Sequence, residues 1–277
     1  MGTVYLPVNF VFLVSRLNLT NITFGITIEG EGVSASRIMP LQHSSYGGAT
    51  GHVFDCTGAE QIILSNFQVG AYNGLAKPTT GLFLAQVASG ASNRIRIRGV
   101  YFSGQYTVAA FYNYGVPSSD CISSDFYNYY PSAGNHGVKY FSAANAMSLS
   151  SSFATVTTGF TSCSDWTFVD TEFHKFAGAG ADNWVVRHDG TQNILYVGGV
   201  LSGGASYHVA YDNTVAHITW LNVTFETESQ PVVPLYGHYK NSGSVNDLSD
   251  IGCSYAVTIS HFGPTAVTTT TLVTNAL

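Results

Sequence analysis

Charge is what this sequence has least of. Asp, Glu, Lys and Arg together make up 9% of its 277 residues, against roughly a quarter in ordinary globular chains. The ten Lys and Arg are outnumbered by sixteen Asp and Glu, for a formal charge of −6, which leaves no basic stripe for a nucleic-acid partner. No apolar run is long enough to span a membrane. The apolar residues 5–13 lack the basic flank and cleavage site of a secretory signal. The four cysteines (Cys56, Cys121, Cys163 and Cys253) are widely spaced with no C-x-x-C, so buried free thiols are expected, not a disulfide framework or a metal site. No cofactor signature is present. Disorder is excluded, because 45% of residues are hydrophobic and 13% aromatic. The Asn-x-Ser/Thr triplets at Asn18, Asn21 and Asn222 are ordinary in strand sequences of this kind and carry no reading.

What is present is a repeat. In the stretch 216–226, Ile218 and Trp220 alternate with Thr219 and Leu221, the period of a strand with two unlike faces. Asn222 breaks the phase, and Val223 and Phe225 resume it. The same unit starts at Ile62, Ile95, Trp166 and Ile194, with turn residues Asn66, Gly99, Asp170 and Gly198. A weaker copy starts at Cys121, with Asp125 at its turn. Gly, Asn and Asp are the residues that tolerate a left-handed backbone. Short strands near His52, Gly81, Trp184 and Tyr207 precede most copies. Anchors at 62, 95, 121, 166, 194 and 218 are spaced by 33, 26, 45, 28 and 24 residues. The step of 45 predicts a degenerate copy between residues 135 and 159, where the Ala/Ser/Thr-rich stretch 142–158 is either a poor rung or a protruding loop.

Such periods, with no helix signal between strands, predict an all-β fold: a single-stranded right-handed parallel β-helix, or β-solenoid. A sandwich or jelly roll would instead show hairpin turns, with no reason for one turn residue to recur in register. The expected division is β-helix over 1–255 and a C-terminal β tail over 256–277. On stacked rungs the outward Val169, Val197 and Leu221 would form an apolar stripe, which a monomer rarely leaves wet. A cyclic homo-oligomer burying it around an axis is therefore expected.

The N-terminal residues carry a resemblance. Val4-Tyr-Leu-Pro7, then Leu17 and Leu19, then Ile26-Thr-Ile28 with Gly30 and Gly32, then Ser36-Arg-Ile38 resemble the opening coil of pectate-lyase-like β-helix proteins, among them phage tailspikes and tail fibres. The signature covers about 3–40, and the repeats extend the likeness to about 260. The resemblance implies a homotrimer in a virion tail, or an extracellular protein, that engages bacterial surface polysaccharide and other tail proteins. Since this fold hosts lyases, hydrolases, esterases and adhesins, it leaves activity open. In that family the opening coil often follows a capping or virion-binding segment, so the expectation is a fragment or a chain capped by a neighbour.

Motif transfer gives no active site. The calcium-binding Asp cluster and Arg base of the lyases have no counterpart, and Gly134-Asn-His-Gly137 with Lys139 only echoes a polygalacturonase motif. Stacking supplies candidates instead. The outward position after the turn runs Gln68, Tyr101, Tyr127, Glu172, Val200 and Thr224, beside Asp125 and Asp170 in the turn file. Tyrosine faces beside carboxylates suit sugar C–H groups and hydroxyls. Glu172, Asp170 and Asp125 are thus the candidate catalytic carboxylates, and Tyr101, Tyr127, Tyr129, Tyr130 and His174 the candidate carbohydrate contacts. With one degenerate coil between them, Asp125 and Asp170 would stand about 10 Å apart. Glu226 and Glu228 form a reserve pair. Asp at such turns also caps backbone N–H groups. His136, His188, His208, His217 and His261 are expected at the surface or hydrogen-bonded in the core. The expected function is a tailspike-like receptor-binding protein, with a polysaccharide depolymerase and a purely structural virion component as alternatives.

Overall fold

The structure, a computed structural model, describes residues 2–40, 51–70, 77–86, 94–116, 119–128, 136–141, 144–149, 151–154, 157–175, 184–203, 206–227, 235–256, 259–263 and 271–273. Each coil contributes one strand to each of three parallel sheets, which we label A, B and C; among the described residues they hold 11, 10 and 10 strands and there is no helix. The chain is a parallel β-solenoid. The segment starting at Ile62 or Ile95 is sheet A, the piece after the turn is sheet B, and the preceding short strand is sheet C.

Alternation explains why these residues coil. In Ile95–Arg98 and Gln192–Val197, the inward residues Ile95, Ile97, Ile194 and Tyr196 are buried, while the residues between them face out. Stacked coils pile the inward residues into files. Trp166, Phe168, Tyr196 and Trp220 form a continuous aromatic stack, with Tyr196 and Trp220 centroids 3.7 Å apart at 4°. Such pairs add about 0.5–1.5 kcal/mol each beyond the area they bury. Asn66, Gly99, Ser123, Asp170, Gly198, Asn222 and Gly252 all hold left-handed φ values of 45° to 64° between sheets A and B. The position therefore demands residues with small or locally hydrogen-bonding side chains.

Sheet A carries a charge near the C-terminal end of its inward file. Asp250 follows Trp220 in register yet is 2% exposed. A relay satisfies it: Trp220 Nε1 donates to Tyr211 Oη (3.2 Å), Tyr211 pairs with His238 Nδ1 (2.9 Å), and His238 Nε2 with Tyr255 Oη (2.9 Å). Tyr255 in turn donates to Asp250. Burial pushes the Asp250 carboxyl up, but hydrogen bonds from His238 and Tyr255 outweigh it and leave the pKa at about 2. All four cysteines are free, three of them buried.

Two expectations change. The weak copy is aligned two residues out, because its first inward residue is Ser119, not Cys121: Ile95 pairs with Ser119, and Ile97 with Cys121. A serine in an apolar file is invisible to hydrophobic periodicity; here Asn113 Nδ2 satisfies it at 2.9 Å. The turn residue of that coil is then Ser123 (φ 45°), and Asp125 opens the next strand. Second, the low-complexity stretch is a regular rung, with strands Ala144–Leu149 and Ser152–Ala154 in sheets A and B. After residue 255, Ser260–Phe262 adds to sheet C and Thr271–Val273 to sheet A.

The outward stripe is longer than sequence suggested. Val169, Val197 and Leu221 are consecutive in one file of sheet A, and the register extends the apolar stretch to Ile251 on one side and to Ile122 on the other, where Arg98 is the next residue and ends it. Val169, Val197, Leu221 and Ile251 are each half-buried in the single chain. No helix among the described residues is long and apolar enough to cross a membrane.

Candidate functional site: a carboxylate pair on sheet B

The outer face of sheet B carries the candidate residues in two adjacent files. The first runs Arg37, Gln68, Tyr101, Asp125, Ser152, Glu172, Val200 and Thr224. The second places Tyr127 beside Ser103 and Ala154, and His174 beside Ser202. Inward residues hold these strands rigidly. Phe126, between Asp125 and Tyr127, stacks on Phe102 and Phe111 at 5.6 and 5.2 Å, and Phe173, between Glu172 and His174, packs edge-on against Tyr196 at 5.7 Å.

The structure thus brings Asp125 and Glu172 into one file with one coil between them, a separation of about 9.6 Å at two strand spacings. Their environments differ. Burial pushes the Asp125 carboxyl up, and the charge of Glu172 adds to that. Glu172 goes down, because hydrogen bonding from His174 outweighs its partial burial. His174 Nδ1 lies 3.6 Å from Glu172 Oε1 and 3.3 Å from Ser202 Oγ, with its ring largely enclosed and the glutamate side chain about half exposed. Tyr101 and Tyr127 meet edge-on, with centroids 5.3 Å apart, forming an aromatic wall on the N-terminal side of Asp125.

The remaining candidates fall elsewhere. Asp170 stays in the turn file at φ 47°, exposed, with its carboxylate lying over Gly198 of the next coil. Tyr129, Tyr130 and Glu228 lie outside the described residues, as do Gly134 and Asn135 of the polygalacturonase echo. Glu226 borders a separate cavity of about 300 Å³ with Tyr255 and Thr224. His188 and His208 are hydrogen-bonded core residues, to Tyr196 and to the Glu226 carbonyl, whereas His217 is exposed beside Asp247 at 3.2 Å. Among the described residues no cluster of His, Cys, Asp and Glu could hold a metal ion. Sequence reasoning put Asp125 in the turn file because it misplaced Ser119, and so set it in line with Asp170, whereas the register puts it in line with Glu172. Asn113, six residues before Ser119, is the one signal that a buried polar position was near.

Comparison with solved structures gives the same architecture. Tailspike protein 2 of the Escherichia coli O157:H7 bacteriophage CAB120 superposes with a TM-score of 0.65 at 14% identity, over 96% of this chain and 38% of that one. The tailspike protein of the Acinetobacter phage vB_ApiP_P1 gives 0.52 at 12% identity, over 90% and 53%. The fold is that of a phage tailspike β-helix. The chain spans less than two thirds of either neighbour's length. No protein-family model matches the sequence, and no curated protein does.

Proposed function

We propose that the chain is the right-handed, trimeric shaft of a tailspike-like receptor-binding protein that engages bacterial surface polysaccharide along sheet B, in a virion tail and alongside other tail proteins. In this reading the coils to residue 255 carry the site, and residues 256–277 close the C-terminal end. The observation that carries the reading is the file Tyr101, Asp125, Ser152, Glu172, with Tyr127 and His174 beside it. Tyrosine faces take the apolar side of a sugar ring, and the carboxylates and imidazole take its hydroxyls. The apolar file through Val169, Val197 and Leu221 supports assembly around a three-fold axis. The connection between parallel strands favours the right-handed sense.

The opposed environments of Asp125 and Glu172 favour a second reading, depolymerisation. A carboxyl whose pKa is pushed up beside a carboxylate whose pKa is pushed down is the division of environments that an acid and a base of glycoside cleavage need. Their strand separation of about 9.6 Å lies just beyond the roughly 6.5–9.5 Å that leaves room for an inverting water, so the two side chains must lean toward each other to span it. Asp170 flanks the pair as a turn cap. The test incubates the chain with purified capsule and lipopolysaccharide from candidate hosts, reading retention on a glycan surface and release of reducing ends. Retention that falls in Tyr127→Ala, with turnover lost in Glu172→Gln, is expected of an enzyme; retention without turnover marks an adhesin. Neither retention nor turnover on any bacterial glycan would leave the structural-component reading. Light scattering at micromolar concentration should give three times the chain mass, and Val197→Asp should return it to one.

A further inference from the structure

Four of the six arginines in this charge-poor chain lie on its N-terminal coils, exposed, and among the described residues none of the four makes a side-chain hydrogen bond or a close salt bridge, the Asp120 carboxylate being the nearby opposite charge of Arg96 and Arg98. Arg16 and Arg187, by contrast, are bound to Asp55 and to Asp189 and Asp212. Arg94, Arg96 and Arg98 are successive outward positions at the start of and along one sheet A strand, with rises of about 6.6 Å between them. Like charges so placed repel one another. They do not guard a sheet edge, because this strand lies inside an eleven-stranded sheet. Asp120, the cross-strand neighbour of Arg96, compensates at most one of the three charges. A cavity of about 170 Å³ opens between this strand and the coil before it, lined by Gln61, Ile63, Arg94 and Arg96. Its lining combines a side-chain amide, an aliphatic floor and two guanidinium forks. One turn, at Gly99, separates Arg98 from Tyr101 of the sheet B file.

We infer that the polysaccharide is anionic, and that the cavity between Arg94 and Arg96 is a subsite for one carboxylate-bearing sugar. The inference rests on the glycan-binding reading of sheet B and adds the ligand's charge. Guanidinium groups bind carboxylate by paired, charge-assisted hydrogen bonds, Ile63 takes the ring's C–H face, and the Gln61 amide takes a hydroxyl. The polymer then turns the Gly99 corner to reach Tyr101 and Asp125.

The test measures binding of the full chain to polygalacturonate, polysialic acid, dextran sulfate and neutral dextran at low and high salt. A carboxylated polymer should bind, weaken as salt rises, and lose about tenfold to a hundredfold in the Arg94→Ala/Arg96→Ala variant. Lys77→Ala should change little, and Arg94→Lys/Arg96→Lys should recover part of the loss. The inference is overturned if neither carboxylated polymer binds, if neutral dextran binds as well, or if the double variant binds like the wild type. A variant that changes the oligomeric mass but not glycan binding makes the patch an inter-chain contact, and also overturns it. The sheet B reading fails separately, through Tyr127→Ala and Glu172→Gln, so a bound neutral capsule glycan sensitive to those variants alone would sink this inference and leave that reading standing.

Discussion

Replacing Gly199 by alanine tests the vertical registration on which the site depends. Gly199 sits at φ 80° directly before Val200, the neighbour of Glu172 in the sheet B file. A Cβ there falls on the carbonyl oxygen of Thr171 and 2.8 Å from its amide nitrogen. Backbone cannot swing away as a side chain can. Thr171 is buried, and its carbonyl accepts from Val200 N at 3.3 Å, a bond the substitution must push apart. Left-handed alanine costs about 1–2 kcal/mol, and a buried carbonyl deprived of its donor about 1–3 kcal/mol. The lost freedom of the unfolded chain returns about 0.4–1 kcal/mol. The net is about 3 kcal/mol, or about 6–12 °C in Tm for a chain of this size. Gly198→Ala is the matched control. It has a similar φ of 63°, but its Cβ meets only the exposed Asp170 carboxylate, which can rotate, so it should lose no more than about 2 kcal/mol. Differential scanning calorimetry at fixed scan rate measures both. Equal shifts in the two variants, or a Gly199→Ala protein melting within about 2 °C of wild type, would refute the stacking geometry between these coils.

Removing the charge of Glu172 by Glu172→Gln should lower the Asp125 pKa, since that charge helps to hold it up; carbon-13 NMR titration of labelled aspartate reads it, and an unmoved Asp125 breaks the pair. Tyr127→Ala should weaken glycan binding about tenfold with Tm unchanged, whereas a loss confined to Tm makes that ring structural. Acid should destabilise the fold in two stages. His188 is held down to about 3 by burial and the nearby His238, so its contribution is complete above its unfolded pKa near 6.5 and fades as pH falls toward 3, by up to about 1.4 kcal/mol per pH unit. Asp250, at about 2 when folded, adds loss between about pH 4 and 2. Urea midpoints across this range should fall steadily, and in His188→Gln the slope above pH 4 should shrink; a flat profile contradicts the buried neutral imidazole.

Local chemistry made much of this protein legible before any coordinates. Apolar alternation through Ile218 and Trp220, and the left-handed residues Asn66, Asp170 and Asn222, report on the backbone of their own coil, so the parallel coil, its turn file and the outward Val169, Val197 and Leu221 could all be read from the sequence. Contacts between coils could not be read so directly, because they depend on an integer register that one polar inward residue is enough to hide. Ser119 shifted one rung by two positions, and with it Asp125 moved from the turn file to the file of Glu172. The arginine-lined cavity and the relay that buries Asp250 are likewise products of stacking: Gln61 and Arg94 are 33 residues apart in sequence, and no pattern along the chain records that they line one cavity. Sequence determined that the chain coils; only the tertiary register decided which side chains face one another, because that choice is made by packing between turns and not within them.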